Sequence, residues 1–319
     1  MRIGFGAILG LILSMTSSRS LFAADPDISI AVIPKGTTHV FWKSVEAGAK
    51  KAGAELGVKV IWKGPLREDD RAEQIKVVEQ FTSEGVSGIV LAPLDFDALA
   101  RPVKSAMQRK IPVVIFDSGL RGEPGKDFVS FVATNNKKGG QMAGEELVKL
   151  MGGKGKVVLL RYSVGSASTD QREQGFMEVM KKNPGITMLV DNRYGGATVA
   201  SAKDESMKLI DKLREADGVF CPNESSTLGM LGALRDNGLA GKIEFVGFDA
   251  TPALVDALKK GDCQALVAQD PTRMGYLGVK TCVAHIKGEK VEPVVDTGVR
   301  LLTQQSLSDP ETRKFLGLE

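Results

Sequence analysis

The chain has 319 residues, of which 43% are hydrophobic, 25% charged and 6% aromatic. These are ordinary globular proportions and exclude disordered, collagen-like and disulfide-scaffold classes, while the length suggests two domains. Forty-two Lys plus Arg against 39 Asp plus Glu leave a net charge of +3, too little for bulk binding to nucleic acid or to an anionic membrane.

The first segment reads as a secretory signal. Arg2 precedes the apolar run Ile3 to Leu13, and small residues lead to Ala23-Ala24. Sixteen uncharged residues separate Arg2 from Arg19, short of the roughly 20 apolar residues of a spanning helix. Residues 1–24 are therefore expected to be removed, by cleavage after Ala23 or Ala24, and the mature chain to be periplasmic. Cys221, Cys263 and Cys282 are spaced too widely for a metal or redox motif. They read as small buried hydrophobes, with a Cys263–Cys282 bridge as the alternative.

In chain order, Ile28–Ile33 predicts a strand and 41–56 a helix, with Val45, Ala49, Ala52 and Leu56 on one face. Lys59–Trp62 predicts a strand, Arg71–Glu84 a helix, 88–92 a strand, 97–109 a helix and 112–116 a strand. The pattern then repeats. Strands are expected at 128–133, 157–160, 187–190, 218–221 and 244–248, with helices between them at 136–151, 169–182, 199–215 and 225–237. Short strands that are apolar throughout, alternating with amphipathic helices, imply an α/β fold with parallel sheets covered on both faces.

Two units match in detail. One runs from Gly88 to Asp117 and the other from Gly218 to Asp249, and each ends in an apolar strand with Asp at its carboxyl end. Ligands of open α/β sheets bind outside the carboxyl ends of the strands, so the repeated Asp suggests a cleft between two similar lobes; a helix N-cap is the other reading of each. Enzyme chemistry is not legible. His39 and His285 are the only histidines, which excludes a His-rich metal site. Phosphate-loop, dinucleotide and GxSxG patterns are absent from the mature sequence.

Phe41-Trp-Lys-Ser-Val-Glu-Ala-Gly-Ala49, Val246-Gly-Phe-Asp-Ala-Thr-Pro252 and Val267-Ala-Gln-Asp-Pro271, in an exported two-lobe pattern, resemble the periplasmic sugar-binding proteins of the ribose-binding type (type I periplasmic binding proteins), which serve ABC importers. The resemblance covers residues 28 to about 302. Lac-repressor regulators share the core but begin with a helix-turn-helix, where this chain has a signal. The resemblance implies two Rossmann-like lobes, each a parallel sheet flanked by helices, joined by a three-strand hinge. The expected division is 25–133 plus 270–296 for the N-terminal lobe and 134–269 plus 297–319 for the C-terminal lobe.

The resemblance also implies a ligand-binding set: His39, Phe41, Trp42, Asp117, Arg172, Tyr194, Asn223, Asp249 and Gln269, with Tyr194 a looser match. Aromatic faces suit the C–H faces of a pyranose, and the carboxylates, guanidinium and amides suit its rim of hydroxyls. Taken singly, each residue also reads as core, turn or solvated surface. In the ribose-type motif Arg follows the first-lobe Asp, whereas here Ser118 does, and His39 stands where an amide is usual. Another pentose, a hexose or a sugar alcohol therefore fits as well as ribose. The expected partners are a small sugar or polyol and an ABC permease in the inner membrane, with no nucleic acid, cofactor, metal or catalytic residue, and the chain is expected to be a monomer. A periplasmic sensor subunit presenting a sugar or autoinducer to a receptor would share this pocket; a secreted α/β enzyme is the third reading.

Overall fold

The computed structural model describes residues 28–317, so the expected signal segment lies outside the described residues. The first half places β1 (Ser29–Ile33), α1 (Val40–Leu56), β2 (Lys59–Trp62), α2 (Arg71–Glu84), β3 (Gly88–Leu91), α3 (Ala100–Gln108), β4 (Val113–Phe116) and β5 (Ser130–Ala133). The second half continues with α4 (Asn136–Leu150), β6 (Gly155–Arg161), α5 (Ala167–Lys182), β7 (Ile186–Tyr194), α6 (Val199–Lys208), α7 (Ile210–Glu215), β8 (Gly218–Phe220), α8 (Glu224–Asp236) and β9 (Glu244–Phe248). The remaining elements are α9 (Pro252–Lys260), β10 (Ala265–Gln269), α10 (Pro271–Ile286), β11 (Val294–Asp296), β12 (Val299–Thr303), a 3-10 turn at Gln305–Ser308 and α11 (Pro310–Phe315).

Among the described residues the strands form two six-stranded sheets, ordered β11-β5-β4-β3-β1-β2 and β12-β10-β9-β8-β6-β7. Every pair is parallel except β10 with β12. The two orders correspond strand for strand, so β4, which leads into Asp117, occupies the place that β9, which leads into Asp249, has in the other sheet.

Alternation within each strand divides the cores. Ile30 and Val32 of β1 pack with Trp42 and Val45 of α1 and Met274 and Val279 of α10, while Ala31 and Ile33 face Val78 and Phe81 of α2 and Val103 of α3. In the second sheet, Val157 and Leu159 face Leu147 of α4 and Phe176 of α5; Val158 and Leu160 face Ala202, Met230 and Leu234 of α6 and α8. Both faces of each sheet are thus buried, which is why the strands read as unbroken apolar runs.

The chain passes from one sheet to the other three times: between β5 and α4, between β10 and α10, and between β11 and β12. Each sheet therefore carries a helix that follows a strand of the other, and these helices make the two tightest helix crossings. A Cβ on Gly48 of α1 would lie 1.9 Å from the Thr272 carbonyl oxygen of α10, and one on Gly275 would lie 2.1 Å from that of Val45. In the second lobe, a Cβ on Gly140 of α4 would lie 1.8 Å from the Arg172 carbonyl oxygen of α5. Only glycine permits these approaches, and they set where α1 and α5 present their N-terminal side chains.

Two expectations differ from the structure. The helix read over 199–215 is divided at Leu209. The Ser206 hydroxyl returns to the Ala202 carbonyl at 2.7 Å, a back-bond that bends helices. The strand read over 187–190 extends to Tyr194, with register shifts against β6. The three cysteines are buried and free: Cys263 lies in the core of the second lobe and Cys282 on α10 in that of the first, so no bridge joins them.

Candidate functional site

The loops at the carboxyl ends of the two sheets face one another and enclose a cavity. It is lined by Lys35, His39, Phe41, Trp42, Glu68 and Asp117 from the first lobe, Tyr162, Ser168, Thr169, Arg172, Asn223, Glu224 and Asp249 from the second, and Gln269 at a crossing strand. The structure brings eight of the nine expected site residues to this cavity. Tyr194 stands apart. It ends β7, the edge strand of its sheet, is 44% exposed and does not line the cavity. The second-lobe aromatic here is Tyr162, directly after β6.

Asp117 and Asp249 each turn the chain at a strand end through left-handed backbone, with φ of 61° and 73°, a conformation that Asp tolerates better than most residues. Neither caps the following helix: α9 is capped by Thr251. Asp117 faces the Lys35 ammonium at 3.4 Å. Asp249 accepts from Gln269 Nε2 at 2.7 Å and from the Glu224 amide at 2.8 Å. Burial raises the Asp249 carboxyl above its ordinary range, against the opposing pull of Arg172, Gln269 and the Glu224 amide.

Arg172 reaches in from α5. Its Nε donates to Asn136 Oδ1 at 2.8 Å and its Nη1 to the Pro222 carbonyl at 2.9 Å, and the guanidinium lies 3.9 Å from the Phe248 ring centroid. Burial lowers its pKa, and Asp249, Asp117, Glu68 and Glu173 oppose that. Asn223 has two tasks: Oδ1 accepts from the Ser226 amide at 3.2 Å as the N-cap of α8, while the residue also lines the cavity. Gln269 carries a buried Oε1 without a hydrogen-bond partner. Its orientation is dictated by Asp249, since a flipped amide would set oxygen against carboxylate.

Trp42 and Phe41 form the aromatic wall, edge-to-face with centroids 4.9 Å apart, and Trp42 is 2% exposed. Glu68, from the loop between β2 and α2, accepts from Trp42 Nε1, His39 Nδ1 and the Tyr162 hydroxyl, each at 2.7 Å. Burial by itself would lower the His39 pKa, but the Glu68 bond and the charges of Glu68, Glu224 and Asp249 hold it at about 9. Burial would raise that of Glu68, yet His39, Lys35 and the Trp42 bond bring it to about 2. The pair is an imidazolium–carboxylate at neutral pH.

Contacts that join the lobes are reciprocal. Neither α1 of the first lobe nor α5 of the second is capped by its own N-cap side chain, His39 or Ser166. In α1, the amides of Val40 and Phe41 donate to Glu224 of the other lobe at 3.1 and 2.9 Å. In α5, the Ser168 amide donates to Ser118 Oγ of the first lobe at 3.1 Å. Lys35 Nζ reaches Ser166 and Ser168 at 3.2 and 3.0 Å. Lys35, Glu68, Tyr162, Ser168, Thr169 and Glu224 were not singled out from sequence. Lys35, Glu68, Tyr162 and Glu224 follow the carboxyl ends of β1, β2, β6 and β8, the position that drew attention to Asp117 and Asp249.

Two lobes of matched parallel topology, tied by three crossings and enclosing a polar cavity at their facing strand ends, define a two-lobe small-molecule binding protein. The family model described as a periplasmic binding protein domain matches residues 30–290, and the chain belongs to that family. It is 31% identical over 297 residues to the ribose import binding protein of Salmonella typhimurium, covering 92% of this chain and 95% of that one. Among solved structures, it is similar to a carbohydrate transporter solute binding protein from Agrobacterium radiobacter in complex with D-arabinose, at 37% identity and a TM-score of 0.86, covering 91% of this chain and 99% of the other. An ABC transporter solute binding protein from Agrobacterium vitis with bound D-fucose gives 34% identity and a TM-score of 0.86, covering 89% and 98%.

Proposed function

We propose that this chain captures a monosaccharide or sugar alcohol between its two lobes and delivers it to an ABC permease in the inner membrane. The observation that carries the reading is Gln269 Oε1, a buried acceptor with no protein donor, which a ligand hydroxyl would satisfy. An orphaned buried acceptor is costly and is normally paired. Around it stand the edges of an aromatic wall and a set of charged donors and acceptors. With His39 protonated, three cations (Lys35, His39, Arg172) oppose four carboxylates (Glu68, Asp117, Glu224, Asp249). That near balance suits a neutral polyol better than an anion. His39, Phe41, Trp42, Asp117, Arg172, Asn223, Asp249 and Gln269 are assigned as its contacts.

Residues 25–133 plus 270–296 form the N-terminal lobe on this reading, and 134–269 plus 297–319 the C-terminal lobe, with the three crossings as the hinge. The protein works as a periplasmic monomer freed from its signal segment. Proteins similar to it are named for or bound with pentoses (ribose, D-arabinose), hexoses (D-allose, D-tagatose), the deoxyhexose D-fucose and the polyol xylitol, and the cation beside the first-lobe Asp is Lys35 rather than the Arg of the ribose-type motif. The ligand class is thus a small neutral monosaccharide or sugar alcohol. A thermal-shift screen against D-arabinose, D-ribose, D-fucose and xylitol tests this. At 100 times Kd a ligand adds about 2.7 kcal/mol, a rise of roughly 4–5 °C for a chain of this size. A flat screen, with no binding by calorimetry, would reject the sugar reading.

A further inference from the structure

Glu68 has a place in the site that its chemistry as a sugar contact does not explain. It is 8% exposed, and both carboxylate oxygens already hold donors from within the protein. Oε1 takes the Trp42 indole and the His39 imidazole; Oε2 takes the Tyr162 hydroxyl. Trp42 and His39 belong to the same lobe as Glu68, whereas Tyr162 comes from the other, where its own amide is fixed by Glu173 at 3.0 Å. One side chain therefore ties the aromatic wall, the imidazole and the opposite lobe together.

We propose that Glu68 is a positioning residue that orients the Trp42 wall through His39 and Trp42 and engages Tyr162 only when the lobes meet, so that wall geometry and lobe closure are set by one carboxylate. This rests on the reading of the cavity as the ligand site. A carboxylate that is desolvated as the lobes meet must gain a donor at the same moment, or closure is penalised. Tyr162 is that donor. Its phenol is protonated where it meets Glu68, because burial and the nearby charges of Glu68, Asp69 and Asp117 raise its pKa. The charged groups that face the His39–Glu68 pair are Glu224, Asp249 and Arg172 from the second lobe and Lys35 from the first. The pair is thus embedded among charges on both sides of the cleft.

The test uses the full chain carrying Trp62→Phe, which leaves Trp42 as its sole tryptophan. Glu68→Gln and Tyr162→Phe are compared in that background by D-arabinose calorimetry and by Trp42 emission from pH 6 to 10. In the parent, titration of His39 near pH 9, on the carboxylate that also holds Trp42, should give an alkaline transition in emission. Glu68→Gln should shift the emission of the sugar-free protein, abolish that transition and weaken D-arabinose binding by about 30-fold or more. Tyr162→Phe should leave the sugar-free emission unchanged and weaken binding roughly tenfold, because only the closed state loses a bond. Wild-type emission and pH profile in Glu68→Gln would overturn the proposal, as would undiminished affinity in Tyr162→Phe. Should Glu68→Gln fail to fold, the conservative Tyr162→Phe still decides through its affinity. If the parent protein binds no sugar, the sugar reading falls on its own, and the emission and pH profile of Glu68→Gln still decide the role of Glu68.

Discussion

Asp117 and Asp249 occupy corresponding positions in the two lobes, and their surroundings differ in kind. Both follow the central strand that pairs with the strand leading to a crossing, and both have left-handed backbone. Their amides make the same bond, to the carbonyls of Val132 and Val267 at 3.1 and 2.8 Å. The carboxylates diverge. Asp117 has Lys35 as its charged partner, and Lys35 is also held by Ser166 and Ser168. Asp249 holds donors on both oxygens and sits beside Arg172. The first-lobe acid is left available to a ligand; the second-lobe acid is also a strut that orients Gln269 and the start of α8. Corresponding strand orders thus yield one acid that mainly binds and one that also builds.

The sharpest way to break this comparison is to replace each by Ala. The left-handed backbone strains both variants alike, so their difference reads the side-chain partners. Asp249→Ala orphans Gln269 Nε2 and the Glu224 amide and should lower stability by about 2–3 kcal/mol more than Asp117→Ala. Its melting temperature should fall roughly 3–5 °C further. Affinity for the cognate sugar should drop about 100-fold or more in Asp249→Ala and about 10–100-fold in Asp117→Ala. Equal melting temperatures would show that the strut is not structural.

A second difference lies in protons. His39 belongs to the first lobe, yet Glu224 and Asp249 of the second help to hold its pKa at about 9. A basic group raised above its ordinary 6.5 stabilises the fold fully below pH 6.5, and that contribution is lost as pH rises through 9. Glu68, lowered from 4.5 to about 2, contributes above pH 4.5 and loses its contribution as pH falls through 2. Glu173 in the second lobe has the opposite sign. Burial, partly offset by the Tyr162 amide and Arg161, raises it to about 7, a penalty that grows between pH 4.5 and 7 and is complete above that. From pH 7 to about 8.5 the limb therefore belongs to His39, with an amplitude of about 2 kcal/mol; above that, the buried thiols of Cys221, Cys263 and Cys282, which burial also raises, add a loss of the same sign. Thermal melts should show that limb in the native protein, and His39→Gln should flatten it. An unchanged limb in the variant would assign it elsewhere.

The fold was legible because both faces of each sheet are covered, which makes the strands of the central sheets stand out as apolar runs between amphipathic helices. The two acids were legible because the same strand-end pattern occurs twice. Glu68 was not, since it lies in Arg67-Glu-Asp-Asp70, where nothing in the pattern separates it from Asp69, half-exposed and paired with Arg67. Only the return of that loop over Trp42 buries one and exposes the other. Tyr194 was misleading for a related reason: a strand at the sheet edge carries its last side chain outward, and residue type does not reveal which strand is at the edge. Glu224 was hidden behind Asn223, whose capping of α8 is local, whereas Glu224 acts on a helix of the other lobe.

The reciprocal helix caps give the smallest and most discriminating test of the symmetry between lobes. The α1 amides are met by a carboxylate, and the α5 amide by a hydroxyl. A carboxylate at a helix N-terminus adds charge–dipole stabilisation to its hydrogen bonds, and a lost cap costs about 0.5–2 kcal/mol. Both caps cross the cleft, so their loss should penalise the closed arrangement and spare each lobe. Glu224→Gln leaves an acceptor for only one of the two α1 amides and should weaken sugar binding about 3–10-fold. Ser118→Ala removes one neutral acceptor and should cost about 2–3-fold. Neither should move the sugar-free melting temperature by more than about 2 °C. A larger thermal loss in either variant, with affinity kept, would mean that the contact supports a lobe rather than its closure. Additive losses of affinity in the double variant would show that the two caps act independently on one closing motion.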